Sequence, residues 1–257
     1  MKKEMKKNNN NKFDYWKSLK VTPGEKIKKI KYIDIYLNRP VAALIVRLVY
    51  NTRMTPNGLT YISLFLGLLG AFFFSRGVYL YFILGGVLTQ LSSIVDGADG
   101  MLARAKNISS EYGAHLDLLF DRIIDFSLYI GIAVGASTYF NRPHLLFVGF
   151  LGGGLYMLRV NVFYISKSYL RVKQKGETGE VRAIVMWSIL IFAIANRLDI
   201  LLYLGLTDTI IALTVLLIRF IRLGRKADSF LPNGFQHTQQ NESGQQQRND
   251  PPDQHQG

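Results

Sequence analysis

The feature that most constrains this chain is the grouping of its apolar residues. They fall into blocks near twenty residues long, and the charges lie between the blocks. A helix rises 1.5 Å per residue, so about 20 apolar residues match the hydrocarbon core of a bilayer. Six such segments are expected to cross a membrane: 57–75, 79–98, 114–139, 145–166, 182–197 and 199–221. The third is the least clean because its first turns carry charges. The last two are separated only by a tight turn at Asn196 to Asp199. The expected architecture is an all-α integral membrane protein of six transmembrane helices.

Composition narrows the choice. Half of the chain is apolar (49% hydrophobic), yet it carries 31 Lys+Arg against 18 Asp+Glu, a formal net charge of +13. A soluble α/β enzyme does not combine long apolar runs with that imbalance. The basic residues sit where membrane topology puts them, which argues against a nucleic-acid partner despite a pI near 9.8. The chain contains no cysteine, so disulfides, thiolate metal sites and cysteine nucleophiles are excluded.

The connecting segments set an orientation. Arg76, Arg142 and Arg197 are single charges after spans one, three and five. The other side carries Arg104, Lys106, Lys167, Arg171, Lys173, Lys175, Arg182, Arg219, Arg222, Arg225 and Lys226. The positive-inside rule places both termini in the cytoplasm. Residues 1–33 hold eleven Lys and three acids and read as a basic cytoplasmic tail, either solvated or held on anionic headgroups. Residues 34–226 form the expected membrane domain. Residues 227–257, rich in Gln, Asn, Pro and Gly, read as a disordered polar tail. Over 38–54, Val41, Leu44, Ile45, Leu48 and Val49 share one helical face, with Arg39, Arg47 and Arg53 on or near the other. This short, charged stretch is expected to be an amphipathic helix lying in the interface.

The chemistry concentrates at the junction of spans two and three. Asp96 and Asp99 are three residues apart, and Asp117 and Asp121 are four apart, so each pair falls on one helical face. A short loop joins the helices, which lets the pairs face each other. Ionisable groups at membrane depth are costly and usually functional. Four carboxylates repel one another unless cations neutralise them, and their hard oxygens suit Mg²⁺ or Mn²⁺. Such a set can hold two metals about 3.5–4 Å apart, a geometry that clamps a phosphoryl group during in-line displacement. Gly97, Gly100, Ala103 and Gly113 keep the neighbouring faces small.

The residues Asp96, Asp99, Gly100, Ala103, Arg104, Gly113, Asp117 and Asp121 fit D-x2-D-G-x2-A-R-x8-G-x3-D-x3-D. This resembles the signature of the CDP-alcohol phosphotransferase (phosphatidyltransferase) family, and the wider plan over 34–225 is similar too. The resemblance implies transfer of a substituted phosphate from a CDP-alcohol, usually CDP-diacylglycerol, to a hydroxyl with release of CMP. It implies two divalent cations, Mg²⁺ or Mn²⁺, on Asp96, Asp99, Asp117 and Asp121, with Asp121 also the general base. The CDP group would be bound by Asp96, Asp99, Gly100, Ala103, Arg104, Gly113 and Asp117. A homodimer is implied as well. The partners expected are a CDP-alcohol lipid donor, an alcohol or polyol-phosphate acceptor and membrane lipids.

For the acceptor, Arg159 and Arg182 stand out: in relatives that use a phosphorylated acceptor, basic residues in these regions bind its phosphate. Tyr156, Trp187 and Tyr203 read as packing or interfacial aromatics, and His115 as more often structural than catalytic. Two other readings stay open. One is the same chemistry with a CDP-polar-alcohol donor such as CDP-inositol. The other is a small divalent-cation transporter, which requires carboxylates near mid-membrane in broken helices.

Overall fold

The computed structural model describes residues 34–169 and 180–229. The basic tail expected over 1–33, Arg171, Lys173 and Lys175, and the polar tail beyond 229 lie outside the described residues. So do the side chains of Lys167, Arg225 and Lys226. A π-helical turn, Asp34–Asn38, leads into α1 (Arg39–Val49). Six long helices follow: α2 (Pro56–Ser75), α3 (Tyr79–Lys106), α4 (Glu111–Tyr139), α5 (His144–Tyr169), α6 (Glu180–Ile194) and α7 (Leu198–Ser229). Among the described residues there is no strand.

Every apolar block is a helix. Four of them, α2, α3, α5 and α7, are long and apolar enough to cross a membrane. The helix α4 is as long but less apolar, because Asp117, Asp121, Arg122 and Asp125 crowd its first half. The helix α6 is apolar but shorter, over Arg182–Ile194.

Local chemistry sets the helix starts. The Thr55 hydroxyl accepts from the Gly58 amide at 3.1 Å, with Pro56 in the first turn of α2. The Ser110 hydroxyl accepts from the Gly113 amide at 3.0 Å and caps α4. The helix α3 does not stop at residue 98. It continues to Lys106 and is closed by Asn107 in the left-handed region (φ 56°). Asp96 and Asp99 are therefore interior residues of a continuous helix, not caps of its end.

Two apolar clusters organise the packing. One joins α2 to α7 through Phe74, Phe82, Ile124, Leu128, Leu145, Met186 and Leu198. The other seats α1 on α3: Ala42, Ala43 and Val46 are buried among Ala98, Met101 and Leu102. Most of the expected apolar stripe of α1 points away from this contact. Val41, Leu44 and Leu48 are exposed, and Ile45 and Val49 lie at its margin.

The turns Arg76–Val78, Phe140–Pro143 and Ala195–Arg197 gather at one end of the bundle. Tyr79 donates to the Ile194 carbonyl at 2.8 Å, Asn196 donates to the Tyr139 hydroxyl at 2.9 Å, and Arg142 pairs with Asp199 at 3.0 Å. The α3–α4 connection lies at the other end, where the aspartates are.

Candidate active site

The geometry starts with α3 and α4, which run unbroken past all four aspartates. Carboxylate oxygens of Asp96, Asp99 and Asp117 lie within 4.8 Å of one another. Asp99 and Asp121 are buried, at 8% and 9% exposure. Thr60, reaching from α2, donates to Asp99 Oδ2 at 2.6 Å. This fixes one carboxylate and leaves its other oxygen for a ligand. Asp117 Oδ1 is buried and has no hydrogen-bond partner among the described residues. A buried, unpaired carboxylate oxygen beside two more carboxylates is a donor set short of a cation. The hard oxygens suit a divalent ion, so Asp96, Asp99 and Asp117 fit the group that the sequence implies.

Asp121 is placed differently. It stands outside that three-residue cluster and forms a close ion pair with Arg182 of α6. The same guanidinium nitrogen reaches Asp96 Oδ2 at 3.0 Å. Arg122 turns to Asp125 at 3.2 Å, and the Arg104 guanidinium lies over Gly100. A Cβ added at Gly100 would come 3.2 Å from Arg104 Nη1. The glycine thus admits the arginine side chain across the helix face. Gly113 packs beside the Asn57 side chain, linking the start of α4 to the start of α2.

A cavity of about 1200 Å³ joins these groups. Its polar end is lined by Asp96, Asp99, Gly100, Arg104, Asp117, Asp121 and Arg182. It extends to Arg159, which pairs with Asp208 of α7 at 3.1 Å. Leu128, Ile132, Met186, Phe192 and Leu202 give the same cavity an apolar wall. The two basic residues singled out for the acceptor therefore share one cavity with the aspartates. Ala103 and Gly113 are not among its lining residues. His115 is exposed, with Nδ1 2.8 Å from the Glu111 carbonyl oxygen, and does not line the cavity either.

Three residues of this region were not singled out from the sequence as site residues. Asp125 is buried one turn beyond Asp121 and accepts from the Tyr156 hydroxyl at 2.8 Å and from Arg122. Tyr156, read as a packing aromatic, spends its hydroxyl on this contact and also accepts from Arg122 at 2.7 Å. Thr60 is the third. Asp125 continues the four-residue spacing of Asp117 and Asp121, which is a signal the sequence did carry.

Known proteins similar to this chain place it in a family. The chain is 34% identical over 120 residues to a bifunctional IPC transferase and DIPP synthase of Thermococcus kodakarensis, covering 47% of this chain and 26% of that protein. It is 36% identical over 97 residues to an archaetidylinositol phosphate synthase of Pyrococcus horikoshii, covering 37% and 50%. The chain thus spans about a quarter to a half of the length of these relatives. The fold matches a crystal structure of the Mycobacterium tuberculosis phosphatidylinositol phosphate synthase with CDP-DAG bound. That match has a TM-score of 0.60 at 18% identity and covers 70% of this chain and 94% of the other. The model of the CDP-alcohol phosphatidyltransferase family matches residues 53–220, well over half of the chain, and includes all four aspartates. The chain belongs to the CDP-alcohol phosphatidyltransferase family.

Proposed function

We propose that this protein transfers a phosphatidyl-type group from a CDP-alcohol lipid, CDP-diacylglycerol being the leading donor, to the hydroxyl of a phosphorylated polyol. CMP is released. One observation carries the reading: the aspartates, Arg182 and Arg159 line a single cavity at the end of an apolar helix bundle. A nucleotide-lipid donor needs an aqueous headgroup site continuous with an apolar wall, and a phosphorylated acceptor needs fixed cations nearby. The archaeal relative, an archaetidylinositol phosphate synthase, and the solved structure, a phosphatidylinositol phosphate synthase, support the same class of acceptor.

In this reading Asp96, Asp99, Asp117 and Asp121 hold two divalent cations, Mg²⁺ or Mn²⁺. When bound, these supply positive charge for the donor's pyrophosphate and for the departing CMP. The chain's own groups do the rest. Gly100 lets the Arg104 side chain fold across the helix face into the cavity lining, where the arginine steadies the phosphates beside the nucleotide. Ala103 and Gly113 act from behind the cavity wall by keeping the helices close. Asp121 accepts the proton of the acceptor hydroxyl as its oxygen attacks phosphorus. The phosphorus–oxygen bond to CMP breaks, and CMP leaves with the electron pair. Arg182 and Arg159 hold the acceptor's phosphate. No side chain need form a covalent intermediate, so the displacement is direct.

The same reading makes α4 and α6 span the bilayer with the four longer apolar helices, six in all, in an integral membrane protein. The outward apolar stripe of α1 lies on the lipid surface. Both termini and the aspartates face the cytoplasm. The homodimer in this reading rests on the resemblance.

The test is CMP release by detergent-purified protein given CDP-diacylglycerol and Mn²⁺. Inositol phosphate, glycerol phosphate, inositol, glycerol and serine are offered singly. The expected result is release with a phosphorylated polyol only, reduced by about 10²-fold or more in Asp121→Asn, the range for loss of a general base. Release with serine or an unphosphorylated polyol overturns the acceptor class. Silence with every acceptor, followed by CMP release when CDP-inositol is supplied in place of CDP-diacylglycerol, replaces the donor. Full activity in Asp121→Asn removes it as the base.

A further inference from the structure

Arg182 occupies an anomalous position for a group that binds an acceptor. Its Nη1 lies between Asp96 and Asp121, bonded to both. Those are two of the carboxylates that the proposed cations need, and Asp121 must also be released to take a proton. The guanidinium and the cations therefore compete for the same oxygens. An arginine that leaves them needs another anion close by, because a desolvated, unpaired charge is strongly disfavoured.

One carboxylate is placed to receive it. Asp125 Oδ1 lies 3.8 Å from Arg182 Nε, a nitrogen that takes no part in the two short contacts of Nη1. Arg182 Nε is itself buried and makes no hydrogen bond among the described residues. Asp125 cannot follow the arginine, because its other oxygen is held by the Tyr156 hydroxyl and by Arg122. Tyr156 is fixed in turn by donation from Arg122. A movable cation faces a carboxylate braced from two helices.

We propose that Arg182 is a resident counter-cation that divalent ions displace from Asp96 and Asp121, and that Asp125, braced by Tyr156 and Arg122, is the positioning residue that receives it. Arg182 then stays at the rim of the aspartates, turned toward the cavity, where its remaining nitrogens face an incoming phosphate. The displacement couples the two sites: a filled cation site presents the arginine to the acceptor, and a bare one keeps it buried in the carboxylates.

This inference rests on the reading of the aspartates as a cation site, and it is tested without any substrate. Mn²⁺ binding to the purified full chain is measured by electron paramagnetic resonance in four proteins: wild type, Asp125→Asn, Arg182→Gln and the double variant. Arg182→Gln is expected to tighten Mn²⁺ binding by removing the competitor. Asp125→Asn is expected to weaken it about tenfold, the scale of coupling within one network. In the Arg182→Gln background the same change is expected to cost less than about threefold. Tyr156→Phe keeps the carboxylate charge and removes only its brace. It is expected to weaken binding in the same direction by less, and it serves as the cycle partner if Asp125→Asn does not fold. Equal losses from Asp125→Asn in both backgrounds overturn the proposal, because Asp125 then acts only as a distant charge. Unchanged or weaker binding in Arg182→Gln also overturns it. A wild-type protein that takes up no Mn²⁺ refutes the cation site itself. Wild-type Mn²⁺ binding with an additive cycle refutes only the transfer of Arg182.

Discussion

Thr60 does more for the proposed site than its place in an apolar helix suggests. Its hydroxyl is buried and reaches 2.6 Å to Asp99, across the contact between α2 and α3. Groups that orient a ligating carboxylate are often worth as much as a ligand, with losses of about 10–100-fold in metal affinity. Thr60→Val keeps the shape and removes the donor. It is expected to raise the Mn²⁺ concentration for half-maximal CMP release at least about tenfold, at saturating donor, with little change in thermal stability. An unchanged Mn²⁺ requirement sinks the assignment. The signature aspartates were legible because four carboxylates in apolar helices admit few explanations. Thr60 was not, since a threonine in a membrane-length helix more often bonds its own backbone. Asp125 was hidden by its neighbour: Arg122 three residues earlier reads as a local helical pair, and the pair does form. What sequence cannot supply is Tyr156, thirty-one residues away, closing the triangle.

At the scale of elements, every helix was legible from its apolar block, whereas the faces were not. The larger residues of the α1 stripe, Val41, Leu44 and Leu48, are exposed, and the side buried against α3 is the small one, Ala42, Ala43 and Val46. Periodicity reports which face avoids water, not whether lipid or protein covers it. The contact of α4 with α2 is set by glycines instead. A Cβ at Gly135 would lie 1.8 Å from the Phe74 carbonyl oxygen, and one at Gly131 would lie 2.3 Å from that of Ala71. No side-chain adjustment relieves a clash with backbone, so the helices must separate. Gly135→Ala is expected to destabilise the protein by about 1–3 kcal/mol or more, the range for overpacked sites. It should also lower activity although the aspartates lie at the other end of α4. Thermal unfolding in detergent checks the first effect. An unshifted midpoint shows that α4 and α2 do not pack this closely. Gly97 is the internal control: nothing lies within 4 Å of a Cβ built there, so Gly97→Ala should leave stability unchanged.

For the whole molecule the question is which way it faces. The end that holds the aspartates also carries Arg104, Lys106, Arg182, Arg219 and Arg222, while the turns at the opposite end carry Arg76, Arg142 and Arg197. Side-chain contacts tie those three turns together. They must therefore emerge on one side, and a single accessibility measurement orients the bundle. The chain has no cysteine, so single-cysteine variants can be read without background. Val78 is 47% exposed at the turn end, and Ile108 is 51% exposed in the α3–α4 connection. The positive-inside rule puts Ile108 in the cytoplasm and Val78 outside. In intact cells an impermeant maleimide is expected to label Val78→Cys at once, and to label Ile108→Cys only after the membrane is permeabilised. The reverse pattern inverts the protein and moves the proposed site to the outer face, where a donor made in the cytoplasm would have to cross the bilayer first. Labelling of both without permeabilisation means that α3 does not span. The expected pattern puts the aspartates on the side where CDP-linked donors and phosphorylated polyols are held, so that the lipid tails of the donor stay in the bilayer while its pyrophosphate reaches Asp96, Asp99 and Asp117.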